Sequence, residues 1–362
     1  MVYGWGKSCD RGSPTLKVPP NTALERNPKT SAKIKRSRQN RSTSPLDGKM
    51  TRSSMNVNSA CRKNFLHKIK LLMRIAVTGS SGKVGQYVVE HLANAGYEVI
   101  GISRQVPASQ DKLLQFRKLD LRTPGNAQIA LSGVQAVVHL AAIPAPGQHQ
   151  NEIVFANNTS ATYNILEAAS ELSIKRVIVA SSIAILGFAY SFLYPEQSLP
   201  LHYFPVDELH PLTPIDAYGL SKLVDEDTCA SFVLRSNLEI IALRFSWITF
   251  PNDYLNIIRS VGNTDRMSNI FWSYVDIQDV SQSIEKSLAA KFTGFHPIYI
   301  TADDTLSNRN SIELIQEFYP QVTKINPGIS GHNSLFSTKS ASNLIDYQSC
   351  FSWRNINAIY RG

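Results

Sequence analysis

Downstream of residue 73 the chain alternates short apolar runs with longer stretches in which apolar positions recur every three or four residues. The runs at 74–78, 98–103, 115–119, 136–140, 176–180, 239–244 and 296–300 predict strands, and the stretches near 83–95, 158–172, 217–235, 277–290 and 308–318 predict helices. A run such as AVVHL at 136–140 lacks alternating polar residues, which suits a strand covered on both faces. Strands and helices in this order form βα units, and right-handed crossovers then favour one parallel sheet sandwiched between helices. No internal repeat is visible.

Composition supports a packed body with an unlike leader. Hydrophobic residues at 43% and charged residues at 18% of 362 are globular values. No run approaches the ~20 apolar residues of a membrane span. The formal charge of +9 is unevenly placed: residues 1–72 hold 16 of the 37 basic and 3 of the 28 acidic residues, leaving 21 basic and 25 acidic in the rest. The body is therefore mildly acidic, and no nucleic-acid partner is expected for it. Residues 1–72 are rich in Ser, Thr, Asn, Lys and Arg and show no apolar period, so they are expected to be a basic, disordered extension. Three readings of it compete: an organelle transit peptide, a polyanion contact through Lys33 to Arg38, or upstream sequence preceding an internal start at Met73. The third is favoured because the chain changes character there, so the expected location is cytoplasmic, with organelle import if the leader is a genuine transit peptide. Cys9, Cys61, Cys229 and Cys350 are widely spaced, which reads as reduced thiols and no metal site.

Directly after the first predicted strand comes Thr78-Gly79-Ser80-Ser81-Gly82-Lys83-Val84-Gly85, opening a helix with Val84, Val88 and Leu92 on one face. Gly79 permits a tight turn, Gly82 lets backbone approach a pyrophosphate, and Gly85 allows close helix–sheet contact, with the helix N-terminus facing the anion. A glycine-rich surface turn is the bland alternative. Strand before and amphipathic helix after make dinucleotide binding the stronger reading. The expected fold is therefore α/β, a Rossmann-like doubly wound parallel sheet with a small C-terminal substrate-binding portion. The nucleotide-binding domain with the catalytic residues spans 73–245, and the smaller portion, intermixed with the last strands, spans 246–362.

The second strand ends in Ser103-Arg104 with no carboxylate to bond an adenosine ribose or repel a 2′-phosphate. A forked cation, a hydroxyl and the nearby Lys83 favour NADP, with NAD as the other option. Arg104 pointing to solvent is the plain alternative. Asp120-Leu121 after the third strand would close over the adenine, or Asp120 would serve only as a cap.

Tyr218-Gly219-Leu220-Ser221-Lys222 sets a phenol and an ammonium one helical turn apart. A cation held nearby favours the phenolate over a free Tyr with its pKa near 10, which makes proton transfer at a carbinol or carbonyl feasible. Spacing alone is weak, since the leader holds its own copy, Tyr3 to Lys7. Only the second copy lies on a predicted helix, after a strand ending in Ser181-Ser182.

From Met73 to about Arg354 the chain resembles the extended short-chain dehydrogenase/reductase superfamily, in its NAD(P)-dependent epimerase/dehydratase branch. The matching segments are TGSSGKVG (78–85), DL (120–121), HLAA (139–142), ANNTSATYNILEAA (156–169), VASSIAILG (179–187), YGLSK (218–222), LRF (243–245) and YVDIQDV (274–280). The resemblance implies that Tyr218 is the acid/base, that Lys222 lowers its pKa and binds the nicotinamide ribose, and that Ser182 holds the substrate oxygen, with Ser181 the lesser candidate. It implies that Asn158 orders the region behind the nicotinamide, where a helix N-cap is the alternative, and that Leu140, Ala141 and Ala142 line the cofactor side beside Gly79, Ser81, Gly82, Lys83, Val84, Gly85, Ser103, Arg104, Asp120 and Leu121. His139 is read as a core histidine. A homodimer is suggested by resemblance only.

Two departures bear on the substrate. Nucleotide-sugar members usually carry a tyrosine where this chain has Leu186, and a Tyr-Gly-Pro-type turn where it has Ser246 to Pro251. The stretch between Phe250 and Tyr274 is short for a lobe gripping a UDP or GDP group. Gly187-Phe188 resembles uronate dehydrogenases, which however favour NAD. The expected activity is hydride transfer between NADP(H) and a small alcohol/carbonyl substrate, with a sugar or nucleotide-sugar epimerase/dehydratase as alternative. The aromatic-rich segment 188–214 reads as a lid or as ordinary packing, Arg244 as an anion partner or as a buried ion pair, for example with Asp279, and 333–354 as a segment packed over the substrate side.

Overall fold

The computed structural model describes residues 73–260 and 264–355. The leader, with Cys9, Cys61 and the Tyr3/Lys7 pair, lies outside them. Strands β1 (Arg74–Thr78), β2 (Glu98–Ser103), β3 (Gln115–Lys118), β4 (Ala136–His139), β5 (Arg176–Ser182), β6 (Glu239–Phe245) and β9 (Phe295–Ile300) form a seven-stranded sheet in the order β3-β2-β1-β4-β5-β6-β9. Every ladder in it is parallel. The order reverses between β1 and β4, so the carboxyl ends of those strands open a crevice, where ligands bind in folds of this kind.

Helices α1 (Lys83–Asn94), α2 (Asn126–Leu131), α3 (Asn151–Glu171), α4 (Ala217–Arg235) and α6 (Ile277–Ala289) cover the sheet. Two apolar layers result, one holding Val88, Leu92, Val280 and Ile284 and the other Leu131, Ile165, Leu166 and Phe232. Strand centres such as Ile75, Ala76 and Val77 are wholly buried, which explains their unbroken apolar runs. Helix α3 begins at Asn151, well before the expected 158. Its buried stripe runs through Val154, Asn157, Asn158, Ala161 and Ile165, and the two asparagines break the apolar period by which a buried face is recognised.

The C-terminal third adds a short parallel ladder of β7 (Trp247–Thr249) and β8 (Tyr274–Asp276), with helices α5 (Tyr254–Ser260), α7 (Ser311–Phe318) and α8 (Lys339–Ile345). A third apolar cluster joins Ile183, Leu186 and Phe188 to Phe204, Trp272, Tyr299, Phe336 and Trp353. The segment 333–354 thus contributes Leu335, Phe336 and Trp353 to this core, and no residue of it lines the substrate-side cleft described below. The expectation that it covers the substrate side is corrected: its large apolar side chains are consumed by burial elsewhere.

Candidate functional site

Two adjoining clefts open at the carboxyl edge of the sheet. The first, about 400 Å³, is walled by the turn after β1, the end of β2 and the segment after β3. Gly79, Ser81, Gly82, Lys83, Val84, Gly85, Ser103, Arg104, Asp120, Leu121, Leu140, Ala141 and Ala142 all line it. Gly79 has φ +68°, and an added Cβ would meet the Ala141 backbone nitrogen at 2.9 Å. At Gly85 a Cβ would lie 2.2 Å from the Gly79 carbonyl oxygen, so helix α1 can approach the turn only without a side chain there. Helix α1 starts from Gly82 with no side-chain cap and no acidic residue in its first turn, leaving backbone N–H groups at the cleft. Thr78 ties the two strand ends together, its Oγ1 accepting from the Leu140 and Ala141 N–H groups at 3.1 Å each and meeting His139 Nδ1 at 2.8 Å. These residues fit a dinucleotide: a bare helix N-terminus for the pyrophosphate and a cradle that any Cβ would fill.

The charges at the adenosine end are arranged unequally. Arg122, which also lines the cleft, binds Asp120 through Nε at 3.0 and 3.1 Å. The hydrogen bond from the Arg122 side chain is the largest influence holding the Asp120 carboxyl below its usual range, and Arg104 acts in the same direction. Arg104 itself is exposed at the rim. Lys83 Nζ sits 3.6 Å from Asp253 and 3.6 Å from the Phe250 ring centroid, so its charge is directed to the C-terminal portion and away from Arg104.

The second cleft, about 490 Å³, shares Val84, Leu140, Ala142 and Pro144 with the first. Ser182, Tyr218 and Lys222 stand in its wall. Helix α4 is capped by Asp216, whose Oδ1 accepts from Gly219 N–H at 2.8 Å, and this cap places Tyr218 at the helix mouth. Gly219 is required: a Cβ would lie 2.5 Å from the Ala184 carbonyl oxygen. Tyr218 is buried, and its pKa is pushed up to about 12, by burial first, while a hydrogen bond with Ser182 pulls it down and Asp225 and Asp216 add to the rise. The two serines divide their duties. Ser181 donates to Glu226 Oε1 at 2.6 Å, whereas Ser182 faces Tyr218 and accepts from Ala184 N–H at 3.1 Å.

Lys222 donates to the Ala180 carbonyl at 3.0 Å and to Asp225 Oδ2 at 3.1 Å. Asn158 lies within α3, so the N-cap alternative is excluded; its Oδ1 accepts from Ile143 N–H at 2.8 Å and its Nδ2 donates to Ser221 Oγ at 2.9 Å, clamping the loop after β4 to α4. His139 is 2% exposed, between Thr78 and Thr162, with its pKa driven down to about 3 by burial and then by Lys222. Arg244 pairs with Glu226, Nη2 to Oε2 at 2.7 Å, and not with Asp279, which accepts instead from Cys350 and Phe351 N–H groups. The ion-pair reading of Arg244 is right in kind and wrong in partner: Glu226, one turn beyond Lys222 on α4, reaches the end of β6.

Of the aromatic residues in 188–214, Tyr190 reaches the second cleft, its ring edge-on to Tyr218 at 6.1 Å and 87°. Phe188 and Phe204 join the third core cluster, and Phe192 is exposed. The rest of the wall is formed by Trp247, Ile248, Met267, Asn269 and Ile270, which the sequence reading missed. Its signal for them was only the unusual turn after β6.

Residues 75–256 match the NAD dependent epimerase/dehydratase family. Among relatives, the chain is 32% identical to UDP-glucose 4-epimerase 2 of rice (Oryza sativa subsp. japonica), covering 47% of this chain and 43% of that protein. It is 32% identical to L-arabinose 1-dehydrogenase (NAD(P)(+)) of Haloferax volcanii, covering 60% of this chain and 84% of that protein. The chain thus spans less than half of the rice epimerase but most of the archaeal dehydrogenase. The solved UDP-N-acetylglucosamine 4-epimerase from Bacillus cereus superposes with a TM-score of 0.56 at 25% identity, covering 80% of this chain and all, 100%, of that one. Glycine turn, Tyr-Lys helix, sheet order and these matches agree: the chain belongs to the NAD dependent epimerase/dehydratase family.

Proposed function

We propose that the chain is an oxidoreductase that moves hydride between NADP(H) and a small alcohol/carbonyl substrate, with Tyr218 as acid/base. The observation that carries this reading is the meeting of Tyr218, Ser182 and Lys222 on one wall of a cleft continuous with the glycine-turn cleft. Bound nicotinamide would supply the carbon that takes or gives the hydride. The residues of the chain handle the proton and the developing charge. Tyr218 Oη exchanges the proton with the substrate oxygen, and Ser182 Oγ bonds that oxygen as its charge grows. Lys222 supplies the nearby cation and a donor for the nicotinamide ribose, and Asn158 holds the floor beneath it. NADP is favoured because Arg104 and Ser103 close β2 where a carboxylate would repel a 2′-phosphate, while Asp120 is already neutralised by Arg122.

Trp247, Ile248, Met267 and Ile270, with Asn269 among them, give the second cleft a partly apolar lining, and its volume of about 490 Å³ suits a small substrate. The 84% coverage of an arabinose dehydrogenase points the same way. The kinship with UDP-glucose 4-epimerase 2 supports the second reading, an epimerase or dehydratase that returns the hydride within one turnover. Sugars, uronates and aryl ketones offered with NADPH or NADP+ separate them. A stoichiometric change in nicotinamide absorbance supports net oxidoreduction, and product without such a change supports the second reading. Tyr218→Phe should lower turnover by about 100-fold or more while leaving NADPH affinity nearly intact. Full activity in that variant overturns the assignment.

A further inference from the structure

Asn269 stands on the 3₁₀ helix Thr264–Ile270 and lines the second cleft beside its apolar neighbours Met267 and Ile270. One bond orients its amide: Nδ2 donates to the carbonyl oxygen of Ala189, near the start of the 188–214 segment. A carbonyl oxygen only accepts, so the nitrogen end of the amide must face Ala189, and the two ends cannot be exchanged. The oxygen end, Oδ1, has no partner among the described residues. Ala189 precedes Tyr190, whose ring lies edge-on to Tyr218 at 6.1 Å. The bond therefore fixes the amide against the same stretch of chain that walls the reacting phenol. Ser246, which follows Phe245 at the end of β6, brings into the lining a hydroxyl that also has no partner among the described residues, and it is 5% exposed.

We propose that Asn269 is a specificity-determining residue whose Oδ1 accepts a hydrogen bond from a substrate hydroxyl other than the reacting one, so that the substrate is a polyhydroxylated compound of the sugar class. The inference rests on the reading of this cleft as the substrate site and specifies its substrate class. An amide oxygen carries lone pairs and no proton, so only a donor satisfies it. On a small alcohol/carbonyl compound that donor is a hydroxyl; a keto oxygen, an ether or an aryl edge supplies none. A substrate that covers Oδ1 without donating to it strands a polar atom, and an unmade bond costs more than a made one gains. The amide thus selects chiefly by rejecting compounds that lack the second hydroxyl. Other polar side chains of the lining have their own duties. Tyr218 and Ser182 serve the reacting oxygen, Ser181 donates to Glu226, and Lys222 donates to Ala180 and Asp225. Asn269, with the hydroxyls of Ser246 and Tyr190, is left for the remaining substrate oxygens.

The test is binding to the NADP+-loaded chain, read by ligand-observed NMR titration, with L-arabinose, D-xylose, D-galactose and D-glucose as neutral sugars and cyclohexanol as a ring with one hydroxyl. At least one sugar should bind in the millimolar range or below, and more tightly than cyclohexanol. Failure of every sugar to bind, or cyclohexanol binding as tightly, overturns the proposal. Deoxy forms of the sugar that binds then locate the contact. One of them should bind the parent about fivefold or more weakly, the loss expected for one hydrogen bond and its stranded acceptor. In Asn269→Leu, which is close to the amide in size, the sugar itself should be weakened by about the same factor, and that deoxy change should cost less than about twofold. Deoxy changes that cost the same in the parent and the variant overturn the proposal, since the amide would then only brace the 188–214 segment. Should Asn269→Leu fail to fold, Asn269→Ala removes the same oxygen and is read in the same way. None of these readings needs turnover, so a failure here is separable from a failure of the acid/base assignment, which Tyr218→Phe activity reports.

Discussion

Glu226 holds Arg244 by two bonds, Nε to Oε1 at 3.0 Å and Nη2 to Oε2 at 2.7 Å, with the two side chains 4% and 3% exposed. The same Oε1 receives the Ser181 hydroxyl at 2.6 Å. One carboxylate therefore joins α4, β6 and the last turn of β5. That join turns Ser181 inward and leaves Ser182, the next residue along the strand, facing Tyr218.

Glu226→Gln should destabilise the chain by about 3–5 kcal/mol, the usual cost of leaving a buried charge without its partner. Burial works against the Arg244 charge, and the bond and charge of Glu226 more than offset it. Chemical denaturation of the parent and variant measures this. A difference within experimental scatter would show that Arg244 finds another partner.

Ser182→Ala and Ser181→Ala should separate chemistry from scaffolding. Removing the Ser182 hydroxyl takes away a donor to the charged oxygen and the bond that lowers the Tyr218 pKa, so turnover should fall by about 100-fold or more with little change in stability. Ser181→Ala should lower stability by about 1 kcal/mol through its bond to Glu226, with a smaller effect on turnover. The reverse pattern in parallel kinetics and melting would exchange the two roles.

His139 predicts an acid sensitivity of known sign. Its folded pKa of about 3 lies below the ordinary 6.5, so the unfolded chain binds the extra proton between those values. Its contribution to stability is full above pH 6.5 and is lost as pH falls toward 3, at up to about 1.4 kcal/mol per unit. Buried carboxyls whose pKa is raised, including Asp216, Asp276 and Asp279, act in the opposite sense between their own two values. The slope assigned to His139 is therefore the difference between the parent and His139→Gln in denaturation from pH 6.5 to 4. Parallel slopes would mean the imidazole is already protonated in the fold.

The parts of this site legible in the sequence are those whose chemistry is local. A glycine that cannot bear a Cβ, as at Gly85, and a phenol one turn from an ammonium need only a few neighbouring residues to be recognised. Strands with both faces buried announce themselves as unbroken apolar runs, and all seven main-sheet strands end within two residues of expectation. What stayed hidden depends on distant segments meeting. Trp247 and Ile270 become one wall only because β7 pairs with β8. Helix α3 starts seven residues before the predicted 158 because Asn157 and Asn158 occupy core positions, where Asn157 donates to its neighbour Asn158 and Asn158 donates to the distant Ser221 on α4. Asp225, the buried partner of Lys222, is absent from the sequence reading, because the Tyr-Lys spacing draws attention only to the residue one turn before the lysine.

Arg104→Asp tests the cofactor preference at a point where competing charges are already accounted for. At the mouth of the first cleft Asp120 is bound by Arg122, and Lys83 is drawn to Asp253 and Phe250, which leaves Arg104 as the exposed guanidinium at the end of β2. A 2′-phosphate placed there would gain a forked, charge-assisted partner from Arg104 and a hydroxyl from Ser103. Reversing the charge replaces that attraction by repulsion, while a ribose 2′-hydroxyl would gain an acceptor. NADPH affinity should therefore fall by about tenfold or more and NADH affinity should hold or rise, as read by nicotinamide fluorescence titration at low salt. Equal losses for the two cofactors would show that Arg104 supports the loop without reading the phosphate, and the preference would then have to be sought at Arg122, released from Asp120 when the nucleotide binds.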